Sequence, residues 1–177
     1  FNDAHIHLLA FASATKKVDC RPKSVWTIDQ IVKSIRLQAE KTPRGRLIQA
    51  YGYDEFYIEE KRHPNRYDLD RATATHPVRL DHRTGHATVI NTLALSLLGI
   101  GEQTPDPVDG VVERDEVSRV PTGLLFEMSK YLQQLRQQGP RSDELTSGIR
   151  QANALLLSKG ITSIQDATPA NDLSRWQ

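Results

Sequence analysis

One cysteine, no excess of either charge sign and no long hydrophobic run set the first limits on this 177-residue chain. A lone Cys20 leaves no internal disulfide framework, which suits a reducing setting and points to a cytoplasmic protein. Cys20 itself reads as a small packing residue rather than a nucleophile. Basic and acidic residues nearly cancel, at a net charge of +1, and are scattered, so neither nucleic acid nor an anionic membrane is an expected partner. No apolar stretch reaches the length of a bilayer span, and no signal peptide is visible. The chain opens on Phe1 rather than Met, so residues preceding it are expected. No glycine-rich phosphate loop follows a strand-like segment, which counts against a dinucleotide-binding fold. Fixed-period repeats and low-complexity tracts are absent too.

What the chain has is the composition of an ordinary globular protein, 38% apolar and 25% charged, at a length for one domain or a large part of one. Strand-like segments at residues 1–8, 47–53, 77–82 and 161–166 alternate with helical patterns. Residues 9–22 read as a connecting segment. Thr27 and Gln30 then form a capping-box pattern ahead of Ile28, Ile31, Val32, Ile35 and Ala39, which recur at helical spacing. Asp68 is a candidate cap for a single helical turn. Residues 89–98 read as a helix stopped by Gly99, and Leu124, Leu125, Met128, Tyr131, Leu132 and Leu135 as another, closed by Gly139-Pro140. Leu145, Ile149, Ala152 and Leu156 give a last buried face. Between these helices, residues 101–121 carry Asp109-Gly110 among Val-rich neighbours and predict a surface hairpin. Alternating strands and helices argue for βαβ units and a parallel sheet, best matched by part of a (β/α) barrel.

The chemistry-bearing residues cluster at the ends of these strands. His5 and His7 stand two apart, so a strand presents both imidazoles to one side while Ile6 and Leu8 face the other. Two such nitrogens make half of a divalent-metal site; the bland alternative is a pair of solvated surface histidines. Tyr53 and Asp54 end the second strand and are candidates to line a pocket, with Asp54 equally able to cap a turn. Asp81 and His82 end the third, where alternation sends only one of them inward. His86 follows and could donate to a substrate carbonyl or oxyanion. Asn91 is a candidate for substrate contact or for holding its loop by hydrogen bonds. His63 and His76 are given no role, and Trp26, Trp176 and Tyr131 read as packing residues.

Five stretches resemble the amidohydrolase superfamily, specifically its amidohydrolase-3 branch of YtcJ-like proteins and N-substituted formamide deformylases. They are Asp3-Ala4-His5-Ile6-His7-Leu8, Gly52-Tyr53-Asp54-Glu55, Gly85-His86-Ala87 running into Val89-Ile90-Asn91, Pro121-Thr122-Gly123-Leu124-Leu125-Phe126-Glu127, and Gly160-Ile161-Thr162-Ser163-Ile164-Gln165-Asp166. They follow one another in family order over nearly the whole chain.

The resemblance implies a metal-dependent hydrolase of C–N bonds, amide or N-formyl, built on a (β/α)₈ barrel with a flanking β-sandwich and using metal-activated water. It implies one or two divalent ions, zinc by expectation, held by His5 and His7, and a small amide-type substrate, with homo-oligomerisation left open. Glu127 is implied as a bridging or ligating carboxylate; its bland alternative is an acid in the first turn of a helix. Only the first four βα units are expected here, with a surface hairpin insertion. The sandwich and strands five to eight, which bear the remaining ligands and the general base, have no counterpart, and Asp166 is not expected to take that role. The alternative is a catalytically silent half-barrel, or a barrel that binds metal weakly at most.

Overall fold

Residues 1–138 and 142–168 are described by a computed structural model. In chain order the elements are β1 (Asn2–Ile6), α1 (Leu8–Ala14), β2 (Val18–Asp19), α2 (Ile28–Ala39), β3 (Ile48–Tyr53), α3 (Arg66–Asp70), β4 (Val78–His82), β5 (Ala87–Ile90), α4 (Thr92–Leu97), β6 (Val111–Arg114), β7 (Pro121–Phe126), a 3₁₀ helix (Tyr131–Gln138), α5 (Ser142–Ser158) and β8 (Ser163–Asp166). They fall into two units, one formed by residues 1–17 with the chain after 139, the other by residues 18–139. The helix stop expected at Gly139-Pro140 and the packing expected of Trp176 lie outside the described residues.

The first unit is discontinuous in sequence. β1 and β8 form a parallel two-stranded sheet, with Asn2 opposite Ser163 and Ile6 opposite Asp166. Parallel neighbours need a crossover, and α5 leads directly into β8. α5 packs on α1 at short range: Ala12 and Ala152 are fully buried, and a Cβ at Gly148 would lie 2.7 Å from the Ala12 carbonyl oxygen. Asp166 then locks the exit from β1. Its Oδ2 accepts the Leu8 amide at 3.0 Å and its Oδ1 the Thr168 amide at 2.7 Å. The Thr168 hydroxyl and amide, with the Leu8 amide, hold this carboxyl below the ordinary aspartate range.

The second unit is one six-stranded sheet in the order β2-β3-β4-β5-β7-β6. β2, β3 and β4 run parallel, as alternation with helices predicted, but β5, β7 and β6 run antiparallel. The reason is the link between β4 and β5. It is a tight turn at residues 83–86 with Gly85 at a φ of +77°, too short for a crossover, so the chain reverses. The four strands read from sequence are therefore β1, β3, β4 and β8, and they are distributed over two sheets.

Helices cover both faces of this sheet. On one side Ile28, Ile31, Val32 and Ile35 of α2 meet Ile48, Ala50, Val78, Leu80, Val89 and Leu124. On the other, Ala94 and Leu95 of α4 with Leu132 and Leu135 of the 3₁₀ helix meet Ile90, Val112 and Leu125. Successive residues Val89/Ile90 and Leu124/Leu125 thus serve opposite cores, the period-two signature of a central strand. α2 begins as read, with the Thr27 hydroxyl accepting the Gln30 amide; Gln30 itself reaches the Trp26 amide. α3 differs from the reading: Asn65 is its cap, and Asp68 completes the box from inside the helix.

Other differences share one cause. Residues 87–90 and 121–126 are strands rather than helix starts, because short apolar runs buried on both faces carry no helical period to betray them. The hairpin expected within 101–121 exists as β6–β7, but its turn lies at residues 115–120, where Asp115 Oδ1 accepts the Val117 and Ser118 amides. Residues 9–22 hold all but the first residue of α1, and β2. Trp26 and Tyr131 are 47% and 45% exposed, short of the packing role expected.

Gly123 shows how closely this sheet is built. At a φ of +93° it passes so near β5 that a Cβ would sit 2.5 Å from the Ile90 carbonyl oxygen. Gly123→Ala should destabilise the fold by about 3 kcal/mol, from left-handed strain plus the clash; a urea midpoint equal to wild type would contradict this. Cys20 is fully buried, and desolvation pushes its thiol up to about 12. It should resist a disulfide-exchange reagent at pH 8 in the folded protein and react once urea unfolds it.

Candidate functional site

In the first unit the two paired histidines come together. β1 ends at Ile6, so only His5 lies in the strand, while His7 starts α1 with a φ of −110° and a ψ of 79°. The rings still converge, with centroids 5.3 Å apart and planes at 89°. Both side chains are exposed, and His7 Nδ1 approaches the Thr168 hydroxyl at 3.4 Å. Two accessible imidazoles edge to face suit the nitrogen half of a four- or five-coordinate divalent site. The Asp166 oxygens are engaged with the Leu8 and Thr168 amides.

In the second unit, ionisable and aromatic side chains gather where β3 and β4 end. The parallel register sets Tyr53 beside His82, with ring centroids 5.1 Å apart. The buried Tyr53 hydroxyl lies 2.9 Å from His63 Nδ1. Burial, followed by the charge of Glu55, raises the Tyr53 pKa, so its hydroxyl stays protonated. His82 Nε2 meets Glu55 Oε2 at 2.9 Å, and Nδ1 faces the Thr84 hydroxyl at 2.8 Å. Burial lowers the His82 pKa against the pull of Glu55 and Asp54, which keeps the ring neutral at pH 7.

Asp54 is buried, yet burial does not win there. Its ion pair with Arg83 at 2.9 Å and the Phe56 amide at 3.0 Å hold it below the ordinary aspartate range. Asp81 turns the other way from His82, as alternation requires, and pairs with Arg79 at 2.7 Å and the Thr88 hydroxyl at 2.9 Å. His63, given no role from sequence, belongs to this group; so do Glu55 and Arg83. Glu55 was reachable as the second residue beyond Tyr53. His63 and Arg83 lie outside regular elements and carry no periodic signal.

His86 and Glu127 form a separate pair. They flank the β5–β7 ladder, the Glu127 amide donates to the His86 carbonyl at 2.9 Å, and His86 Nδ1 lies 2.7 Å from Glu127 Oε1. Both are exposed. Glu127 follows β7 directly, at a φ of +55° and outside any helix, so no helix macrodipole acts on this acid. A carboxylate at Nδ1 fixes the imidazole tautomer and leaves Nε2 for chemistry. Asn91 does the holding work: fully buried, its Oδ1 accepts the Val78 and Ala94 amides at 2.9 and 3.1 Å and its Nδ2 donates to the His76 carbonyl at 3.0 Å. All of these partners are main-chain groups.

A family model described as the amidohydrolase family matches residues 1–177. The chain belongs to this family. Within it, the amidohydrolase-3 resemblance read from the motifs is borne out by two relatives. An N-substituted formamide deformylase from Arthrobacter pascens is 37% identical over 132 residues, 75% of this chain and 24% of that protein. The amidohydrolase YtcJ of Bacillus subtilis, itself named only provisionally, is 30% identical over the same shares. Protein LONG AFTER FAR-RED 3 of Arabidopsis thaliana is 28% identical over 93% of this chain and 27% of its own length. This amidohydrolase chain therefore spans about a quarter of the length of these relatives. A crystal structure described as an uncharacterized metal-dependent hydrolase from Pyrococcus horikoshii OT3 shares the fold at a TM-score of 0.63 and 24% identity, over 93% of this chain and 30% of that one. A second, from Pyrococcus furiosus and described likewise, gives 0.61 and 26%, over 93% and 31%.

The two exposed and buried polar residues separate in a stability measurement. Asn91→Ala should cost about 2–4 kcal/mol, since it removes a helix cap and leaves buried amides unmet. His86→Ala should stay within about 0.5 kcal/mol of wild type, as surface changes do. Equal urea midpoints for the two variants would overturn the assignment of Asn91 to structure.

Proposed function

We propose that the protein carrying this chain is a metal-dependent hydrolase of a C–N bond, amide or N-formyl, in a small molecule. The observation that carries the reading is the convergence of His5 and His7 at the end of β1, their centroids 5.3 Å apart. Zinc is the ion proposed, with one or two bound, and the cytoplasm the setting. When bound, a divalent ion supplies a water of lowered pKa and polarises the scissile carbonyl.

The chain's own residues supply the rest of the proposal. His5 and His7 give two imidazole ligands. His86, oriented at Nδ1 by Glu127, offers Nε2 to a substrate oxygen, as general acid or oxyanion donor. With Oε1 committed to His86, Glu127 would ligate metal only through Oε2. Tyr53 and Asp54 are proposed as pocket residues of the second unit. The parallel pairing of β1 with β8 across the α5 crossover supports assigning the first unit to the front part of a (β/α) barrel.

A second reading has its own support. Ile164 of β8 and Leu155 and Leu157 of α5 are 37%, 48% and 53% exposed. A two-stranded sheet with such surfaces invites self-association, which favours a catalytically silent oligomer of residues 1–177. A monomer of these residues with stoichiometric metal and turnover would exclude it.

His5→Ala combined with His7→Ala in the full-length protein should abolish both bound metal, measured by elemental analysis, and hydrolysis of an N-formyl amine. Turnover at the wild-type rate would sink the proposal.

A further inference from the structure

We propose that the second unit carries a divalent-cation site of its own, formed by Asp54, Glu55 and His82 at the ends of β3 and β4. One ligand atom from each of the three lies within 4.8 Å of the others. That spacing fits three donors around one ion. The site uses residues that the proposed hydrolysis does not assign to metal.

The decisive detail is how His82 and Glu55 meet. Their facing atoms, Nε2 and Oε2, are buried and only 2.9 Å apart, yet at directions that complete no hydrogen bond for either. The His82 side chain is nine-tenths buried, at 10% exposure. Two unsatisfied polar atoms at this distance would normally turn to face each other and share a proton. A cation held between them would satisfy both atoms at once. At metal–ligand lengths of about 2.1 Å, a 2.9 Å separation subtends about 90° at the ion, the edge of an octahedron.

The surroundings suit a ligand role. Thr84 holds the ring from Nδ1, its hydroxyl at 2.8 Å and its amide donating at 3.3 Å, so that Nε2 is the nitrogen turned to Glu55. The two Asp54 oxygens each spend one lone pair, on the Phe56 amide and on Arg83, and each keeps another. Arg83 is 58% exposed and can move away as an ion takes over its neutralising part. Two carboxylates with one imidazole make an oxygen-rich set, matched to Mn²⁺ or Zn²⁺ rather than to a soft ion.

The test uses Mn²⁺ as the probe, read by the loss of the free-ion signal in electron paramagnetic resonance. It is done in the full chain carrying His5→Ala and His7→Ala, so that the first unit contributes no imidazole. One equivalent of Mn²⁺ should bind in this background, and adding Glu55→Gln or His82→Asn should weaken binding at least tenfold. Circular dichroism identifies a variant that fails to fold. Glu55→Gln preserves shape at a partly exposed residue and decides the matter where His82→Asn unfolds. Mn²⁺ remaining free in the background chain, or binding unchanged by Glu55→Gln, overturns the site. Neither result bears on the His5/His7 proposal, which rests on its own variants.

Discussion

The pairing of β1 with β8 is the constraint that gives the first unit its form. The two strands belong to opposite ends of the chain, yet Asp166 bonds the Leu8 amide across 158 positions of sequence. That bond fixes where the strand stops and α1 starts, and so where His7 stands relative to His5. Closing so long a loop has an entropic cost that grows only as the logarithm of its length. Folding of residues 18–139 as their own unit shortens the effective loop further. A discontinuous unit of this kind is thus compatible with ordinary stability, provided the inserted part folds first or independently.

In the second unit the equivalent constraint is the reversal between β4 and β5. A helix there would have continued the parallel series; a tight turn makes a mixed sheet instead, with a core on each face. Parallel β3 and β4 end side by side, which gathers Tyr53, Asp54, Glu55 and His82 at one end of the sheet. The antiparallel β5 and β7 begin and end together and bring His86 to Glu127. Both clusters are consequences of strand direction. Neither needs a long loop to position it.

Much of this was legible in the residues. α2 announced itself through Ile28, Ile31, Val32 and Ile35 at helical spacing behind Thr27, because one face of that helix is buried and the other wet. β3 was found from its apolar, β-rich run, β1 from the alternation of His5 and His7 with Ile6 and Leu8, and β4 and β8 from short strand-like runs. The runs around Val89 and Leu124 misled for a physical reason: a strand buried on both faces has no polar alternation, and adjacency to a true helix lengthens the apparent pattern. Pairing order was not legible at all, since strand direction depends on the short turn at Gly85, which the sequence shows only as a turn. For the sites, the spacing of His5 and His7 carried real information even though His7 leaves the strand. His63 was invisible, because a loop residue acquires its neighbours only from tertiary structure.

Glu127 holds a backbone conformation that side-chain-bearing residues adopt at a cost, of order 1 kcal/mol or more. Glycine at this position would relax that tension and leave the ladder between β5 and β7 intact. A more robust sheet would follow, and with it an imidazole at His86 free to spin and to exchange its tautomers. Strain in the main chain and the orientation of a histidine are therefore traded against one another at this position.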